Sequence, residues 1–203
     1  MAGGTLMADD PALVRATLPG RTRQLPGPSA EDDIRGLEEA VGQPLPADQV
    51  AWWRHSDGTG DNFVSLIPGT WTPASTGYAL RQYRLMLTYI PQEPELSQWS
   101  ADPAGSGADD WLPQCLPIGH NYGGSSLFLD LRTGARSGCV CSQYKEDIGF
   151  DAPIWPSVTT MLAEVAHALV TGTEIRGKHA VIEDGRLNWA FVSSDGGGAG
   201  AGI

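Results

Sequence analysis

The sequence is short of positive charge and of long apolar runs. Lys and Arg number 13 against 24 Asp and Glu, which gives a formal net charge of −11. Nucleic-acid binders neutralise phosphates with Lys and Arg, so this balance argues against a nucleic-acid partner. No window approaches the ~18 apolar residues of a membrane span, and the first residues lack the basic and apolar regions of a secretory signal. We therefore expect a cytoplasmic protein with neither a nucleic-acid nor a membrane partner.

Cysteine is also scarce. The chain has three cysteines, and Cys139 and Cys141 are separated by one residue, which argues against a disulfide framework and suits a reducing compartment. With Cys115 and His120 they form the one set of residue types that zinc prefers. Two cysteines at this spacing in a strand project to one face and do not form the usual knuckle. The sequence predicts buried thiols, with no metal and no cofactor.

Familiar catalytic motifs are absent: there is no H-E-x-x-H, no G-x-S-x-G and no G-x-x-x-x-G-K-[ST]. His55 beside Asp57 could serve as a base with its orienting carboxylate, although a helix-end histidine is more often a surface or capping residue. The glycine-rich turn from His120 to Ser126 could cradle an anion, but no helix follows it, which favours a hairpin connection. We expect no catalytic residue and no enzymatic activity.

The 26 glycines and 15 prolines indicate a fold rich in turns. We predict a flexible arm at 1–28, one domain at 29–192 and a flexible glycine-rich tail at 193–203. A capping box formed by Ser29 and Asp32 would begin the first helix. Hydrophobic periodicity and turn signals predict helices at 29–41, 47–55, 78–89 and 157–170, strands at 63–67, 115–118, 127–131 and 138–143, a hairpin at 180–192, and a polar loop at 91–110. The fold class is α+β, a single domain in which an antiparallel-rich sheet packs against helices.

Carboxylates gather in or beside two loops, and an aromatic residue follows the second group. They are Asp57, Asp61, Asp102, Asp109 and Asp110, with Trp111 next in the chain. Each carboxylate taken alone favours a solvated surface. Taken together, acidic loops with an embedded tryptophan are typical of a surface for a basic protein partner, because charge steers the encounter and the ring anchors it. These six residues are the candidate partner-binding set.

Residues 29–175 resemble the SUKH superfamily, which includes fungal cell-wall-assembly regulators and bacterial immunity proteins of polymorphic toxin systems. The motifs that carry the resemblance, in order, are the helix and Leu-Pro segment Glu38–Pro46, the helix and turn Ala47–Gly58, then Trp111–Pro113, Leu116–Gly119, Gly123-Gly124, Leu127–Leu131 and the closing helix Trp155–Leu169. Gln49 stands where members of this family often have an aromatic residue, and Asp57 stands where Asn is more common in the family. The segment 91–110 resembles an insertion.

The resemblance implies a SUKH-like fold and a role in binding proteins without catalysis. Combined with the net charge of −11, it predicts an immunity protein that neutralises a basic toxin domain of the nuclease type. The alternative is a regulatory or scaffold protein of the cell-wall-assembly regulator type that binds an endogenous protein. The oligomeric state and the contacting face stay open at this point.

Overall fold

The computed structural model describes residues 25–60, 64–90, 94–147 and 149–192, with the backbone alone for 94 and 95. Most of the predicted N-terminal arm and the whole predicted tail lie outside these residues. None of the described helices is long and apolar enough to cross a membrane.

The described residues form an α+β fold, which confirms the predicted class. Its helices are α1 (Glu31–Val41), α2 (Ala47–His55), α3 (Thr76–Leu87), α4 (Pro94–Ala101) and α5 (Val158–Thr171). Its strands are β1 (Thr72–Pro73), β2 (Cys115–His120), β3 (Ser126–Asp130), β4 (Cys139–Gln143), β5 (Lys178–Glu183) and β6 (Arg186–Phe191). Four strands make an antiparallel sheet in the order β1-β2-β3-β4, and β5 and β6 form a separate hairpin.

One face of the sheet packs against helices. Leu116, Leu129 and Val140 lie side by side on neighbouring strands, and all three are fully buried. Alternation along a strand sends every second side chain to this face. They join the largest apolar cluster with residues of α1, α2, α3 and α5, including Leu37, Trp53, Ala79 and Met161.

The other face of the sheet is covered by the segment around 96–112, which we call the covering segment. Its residues Ala108, Trp111 and Leu112 pack with Phe128, the three cysteines and Phe150. The prediction that 91–110 is a loop is wrong over Pro94–Ala101, which is the helix α4. The helix α4 is held against the sheet by Leu96 and Trp99, which pack against this second cluster. The covering segment therefore shields the second face of the sheet from solvent.

A buried ion pair fixes the covering segment to the sheet. Arg132 donates to Asp130 at 2.7 Å, and neither side chain is exposed. The same guanidinium donates to the backbone carbonyls of Trp99 at 2.8 Å and Ser106 at 2.5 Å. Asp130 in turn accepts the backbone N–H of Gly105 at 2.8 Å. These contacts satisfy both buried charges and tie three points of the segment to the end of β3.

Two local predictions are wrong. Ser29 does not cap α1, because Ala30 occupies the N-cap and provides no side-chain hydrogen bond. The described part of 63–67 is no strand: Ile67 pairs only with Trp71, across a tight turn. By contrast, Ser157 caps α5 as predicted, since its hydroxyl accepts the Thr160 N–H at 3.1 Å.

Candidate functional site

A cavity of about 380 Å³ opens between the covering segment and the chain that follows β4. Three of its lining side chains are carboxylates, those of Asp109, Asp147 and Asp151, and all three are exposed. Ser142 and Tyr144 add hydroxyl groups to the wall. We call these five residues the acidic pocket. No ion pair involves its three carboxylates within the part of the chain that the structure describes.

The backbone holds the two walls of the acidic pocket together. Ala108 and Phe150 form an antiparallel bridge in which each N–H donates to the carbonyl of the other, at 2.9 and 2.8 Å. Next to this bridge, Gly149 approaches so closely that a Cβ atom would lie 2.2 Å from the carbonyl oxygen of Ala108. Only glycine fits this approach. The relative position of Asp109 and Asp151 is therefore set by main-chain contacts.

One exposed tyrosine lines the acidic pocket, and a second lies in a neighbouring turn. Tyr144 is 48% exposed, and its ring centroid lies 6.0 Å from that of the buried Trp71. Tyr122, which is 70% exposed, lies in the turn between β2 and β3, and this turn contacts the chain after Tyr144 through the Lys145 N–H and the Ser125 hydroxyl at 3.2 Å. Carboxylates that share a cavity with the exposed Tyr144 suit a Lys or Arg side chain, because both the negative charge and the ring face attract a cation.

Among the described residues, the predicted partner-binding side chains differ in exposure and in the contacts that they make. Asp109 lines the acidic pocket, and Asp110 is half-buried, with Oδ1 accepting the N–H of Trp111 at 2.7 Å. Trp111 is only 3% exposed, and its ring centroid lies 4.9 Å from that of Phe128. The expectation that Trp111 is a surface anchor is therefore wrong, because its ring covers the sheet. Asp102 follows α4 and is half-buried.

Asp57 connects two segments of the fold through hydrogen bonds. Its Oδ1 accepts hydrogen bonds from the Ser29 hydroxyl at 2.7 Å and from the backbone N–H and hydroxyl of Thr76 at 2.7 and 3.0 Å. It thereby joins the start of the domain to the first turn of α3. The hypothetical base His55 is exposed, and none of the side-chain hydrogen bonds in the described residues joins it to Asp57. Asp61 lies outside the described residues.

Asp147, Asp151 and Tyr144 line the acidic pocket but were not predicted from the sequence. Their signal is the segment Tyr144–Asp151, in which acidic residues flank a glycine directly after a buried strand. Carboxylates there gain significance only from the pairing of Ala108 with Phe150, which brings them to Asp109. That pairing joins residues far apart in the chain, and local periodicity carries no information about it.

The cysteines lie under the covering segment. Cys115, Asp130 and Cys139 are opposite one another on three strands, and the Sγ atoms of Cys139 and Cys141 are 4.0 Å apart. His120 is elsewhere, with its ring 4.3 Å from that of Tyr78. Burial raises the pKa of the Cys115 thiol and lowers the pKa of His120. Desolvation therefore favours the neutral form of each.

Among the described residues, Asp130, Cys139 and Cys141 form one group whose potential ligand atoms lie within 4.8 Å of one another. The carboxylate of Asp130 already accepts the N–H of Gly105 and three N–H groups of Arg132. A cation would have to displace these donors, so the chemistry of this cluster favours a structural role.

A sequence model of the SMI1 / KNR4 family (SUKH-1) matches residues 28–164, more than half of the 203 residues. No curated protein matches the chain with significant similarity. The match includes the four-stranded sheet, the covering segment and the acidic pocket, and it ends within α5, before the β5–β6 hairpin.

Proposed function

Because the chain belongs to the SMI1 / KNR4 family (SUKH-1), which supports a protein-interaction role, we propose that it is a non-enzymatic immunity protein. In this proposal it neutralises a basic toxin domain of the nuclease type by binding it. The acidic pocket is the contact site, and a Lys or Arg of the toxin enters it.

The observation that carries the proposal is the juxtaposition of Asp109, Asp147 and Asp151 around one cavity. None of them has an ion-pair partner among the described residues, so each can pair with an incoming cation. The chain's charge of −11 attracts a basic domain from a distance, and the pocket fixes where it binds. Nuclease domains are basic where they hold phosphates, so such a blocker would occupy the same surface as the nucleic acid.

Charge reversal in the acidic pocket tests the proposal. The protein is co-expressed with toxin domains encoded beside its gene, as wild type and as the double variant Asp109→Lys/Asp147→Lys. Each reversed contact costs about tenfold in affinity, or ~1.4 kcal/mol, so the double variant binds about 100-fold more weakly and no longer protects the cell.

The matched control is Asp33→Lys/Glu39→Lys, which makes the same change in net charge on the exposed side of α1. The control keeps protection if the pocket is the contact site. Equal losses in both variants would reduce the effect to overall charge. Absence of any neutralised toxin, with a pull-down that returns a cell-wall factor or a housekeeping enzyme, would instead favour the regulatory alternative.

A further inference from the structure

The β5–β6 hairpin lies beyond the region that the family model matches. It is held to the rest of the fold by a small cluster in which Val165 and Ala168 of α5 contact Ile175 and Trp189. The indole N–H of Trp189 also donates to the carbonyl of Ser65 at 2.9 Å. The hairpin forms a sheet of only two strands, which leaves edge groups that a further strand can pair with.

The hydrogen bonds at one end of the hairpin establish which groups of β5 face outward. The N–H of Val192 donates to the carbonyl of Gly177 at 3.0 Å, whereas both backbone groups of Lys178 bond to Ile175. Along an antiparallel strand, residues whose backbone N–H and C=O groups point to the paired strand alternate with residues whose groups point outward, to the opposite edge. The outward residues of β5 after Lys178 are therefore Ala180 and Ile182, and their N–H and C=O groups have no backbone partner among the described residues.

The outward edge of β5 is open and unprotected at its C-terminal half. Ile182 is 47% exposed, and the residues that follow it are exposed as well. The pairing of β5 with β6 runs without a bulge, and neither strand contains proline. Edges of this kind accept a further strand unless charge repels it.

The charge around this edge does not repel a second copy of the chain. Three positive residues of the hairpin region, Arg176, Lys178 and Arg186, balance three negative ones, Glu174, Glu183 and Asp184. The hairpin is thus locally neutral although the chain carries −11. Its edge sequence is also self-complementary, with positive residues at the start of β5 and negative residues at its end.

We propose that two copies of this chain pair through their β5 edges, antiparallel and centred on Val181. Lys178 is already bonded to Ile175, so the register that uses every free outward group places Ala180 opposite Ile182 of the second copy. Each such pair exchanges two hydrogen bonds, and the two-fold axis makes two pairs. His179 then lies opposite Glu183, and the paired segment ends there because Ile175 of the same chain occupies the position opposite Lys178. The product is a four-stranded sheet across the dimer.

Sedimentation velocity of the full chain over a series of concentrations tests the pairing. The wild type is expected to show a concentration-dependent dimer. Ile182→Pro removes an outward N–H and leaves the β5–β6 hydrogen bonds in place, so the dissociation constant rises at least about tenfold. Phe191→Pro is the control, because it removes an outward N–H from the opposite edge, at a residue that is 74% exposed. Since this change also removes the contact of the Phe191 ring with the Lys178 Nζ at 4.0 Å, Phe191→Ala is measured beside it.

A charge exchange provides a second route that does not depend on proline. His179→Glu places two carboxylates opposite each other in the proposed register and weakens the dimer, and addition of Glu183→Lys restores it. Hydrogen exchange of the β5–β6 amides checks that the hairpin stays folded in each variant. A monomer at every concentration, or a dimer that both proline variants weaken equally, would overturn the proposal.

Discussion

The two faces of the four-stranded sheet are covered in different ways. The helix-covered face is apolar, with Leu116, Leu129 and Val140 packed against four helices. The opposite face mixes cysteine and aromatic side chains with the buried Asp130–Arg132 pair. Its cover is the covering segment, which contains one short helix, together with Phe150 and the end of α3.

This difference indicates that one face of the sheet stabilises the domain and the other positions the acidic pocket. Apolar packing on the helix-covered face is non-directional, so neighbouring side chains can readjust after a change. On the opposite face, Arg132 and Asp130 reach specific backbone groups of Trp99, Gly105 and Ser106. The covering segment continues from there to the wall of the acidic pocket. We infer that the helix-covered face stabilises the domain and that the ion pair places the proposed binding site.

The largest expected effect comes from breaking the ion pair. Arg132→Met leaves the carboxylate of Asp130 buried without a counter-charge and should lower the free energy of unfolding by about 3–5 kcal/mol, as measured by urea denaturation. Limited proteolysis should then cut first within the covering segment, because its three backbone contacts to Arg132 and Asp130 are lost or weakened.

The double variant Asp130→Leu/Arg132→Met is the control, since it removes both charges and restores part of the stability. Proteolysis that begins in the helices of the Arg132→Met variant would contradict the assigned role of the pair.

A core truncation on the helix-covered face sharpens the comparison. Leu37→Ala removes a fully buried side chain of α1 and should cost about 2–5 kcal/mol in the same denaturation experiment. The covering segment should keep its order of cleavage, because none of its polar anchors is touched. Cleavage that moves first to the covering segment in Leu37→Ala would show that the two faces are not separable.

The sequence predicted elements that depend on local signals. The periodicity of Leu37 and its neighbours, the cap at Ser157 and the Asp184-Gly185 turn each encode structure within a few residues. The helix α4 was missed because its polar sequence resembles a loop, and part of its apolar surface becomes meaningful only against the second cluster. Of the three carboxylates in the acidic pocket, only Asp109 was predicted from the sequence. The other two are brought to it by the pairing of Ala108 with Phe150, which are far apart in the chain.

A buried polar residue among the helices offers a test in the stabilising direction. Gln49 is 0% exposed, and its side-chain oxygen and nitrogen have no hydrogen-bond partner in the described residues. An apolar side chain of similar size removes this desolvation cost, so Gln49→Leu should raise the free energy of unfolding by about 1–3 kcal/mol. A loss of stability in thermal and urea unfolding would mean that the amide is satisfied in solution.

The smallest effect is expected at Asp57, and it separates a structural carboxylate from a binding one. Asp57→Ala removes the acceptor that joins Ser29 to Thr76, which should cost about 1–2 kcal/mol, in the range of a lost helix cap. Affinity for the toxin domain should stay at the wild-type value in a calorimetric titration. A large loss of affinity with unchanged stability would return Asp57 to the binding surface.

Hydrogen exchange read by mass spectrometry, with and without the neutralised toxin domain, tests the central claim most directly. We expect binding to slow exchange at 108–110 and 144–152, on both walls of the acidic pocket, and to leave exchange in α1 unchanged. Protection confined to the helices, with both pocket walls exchanging as in the free protein, would contradict it.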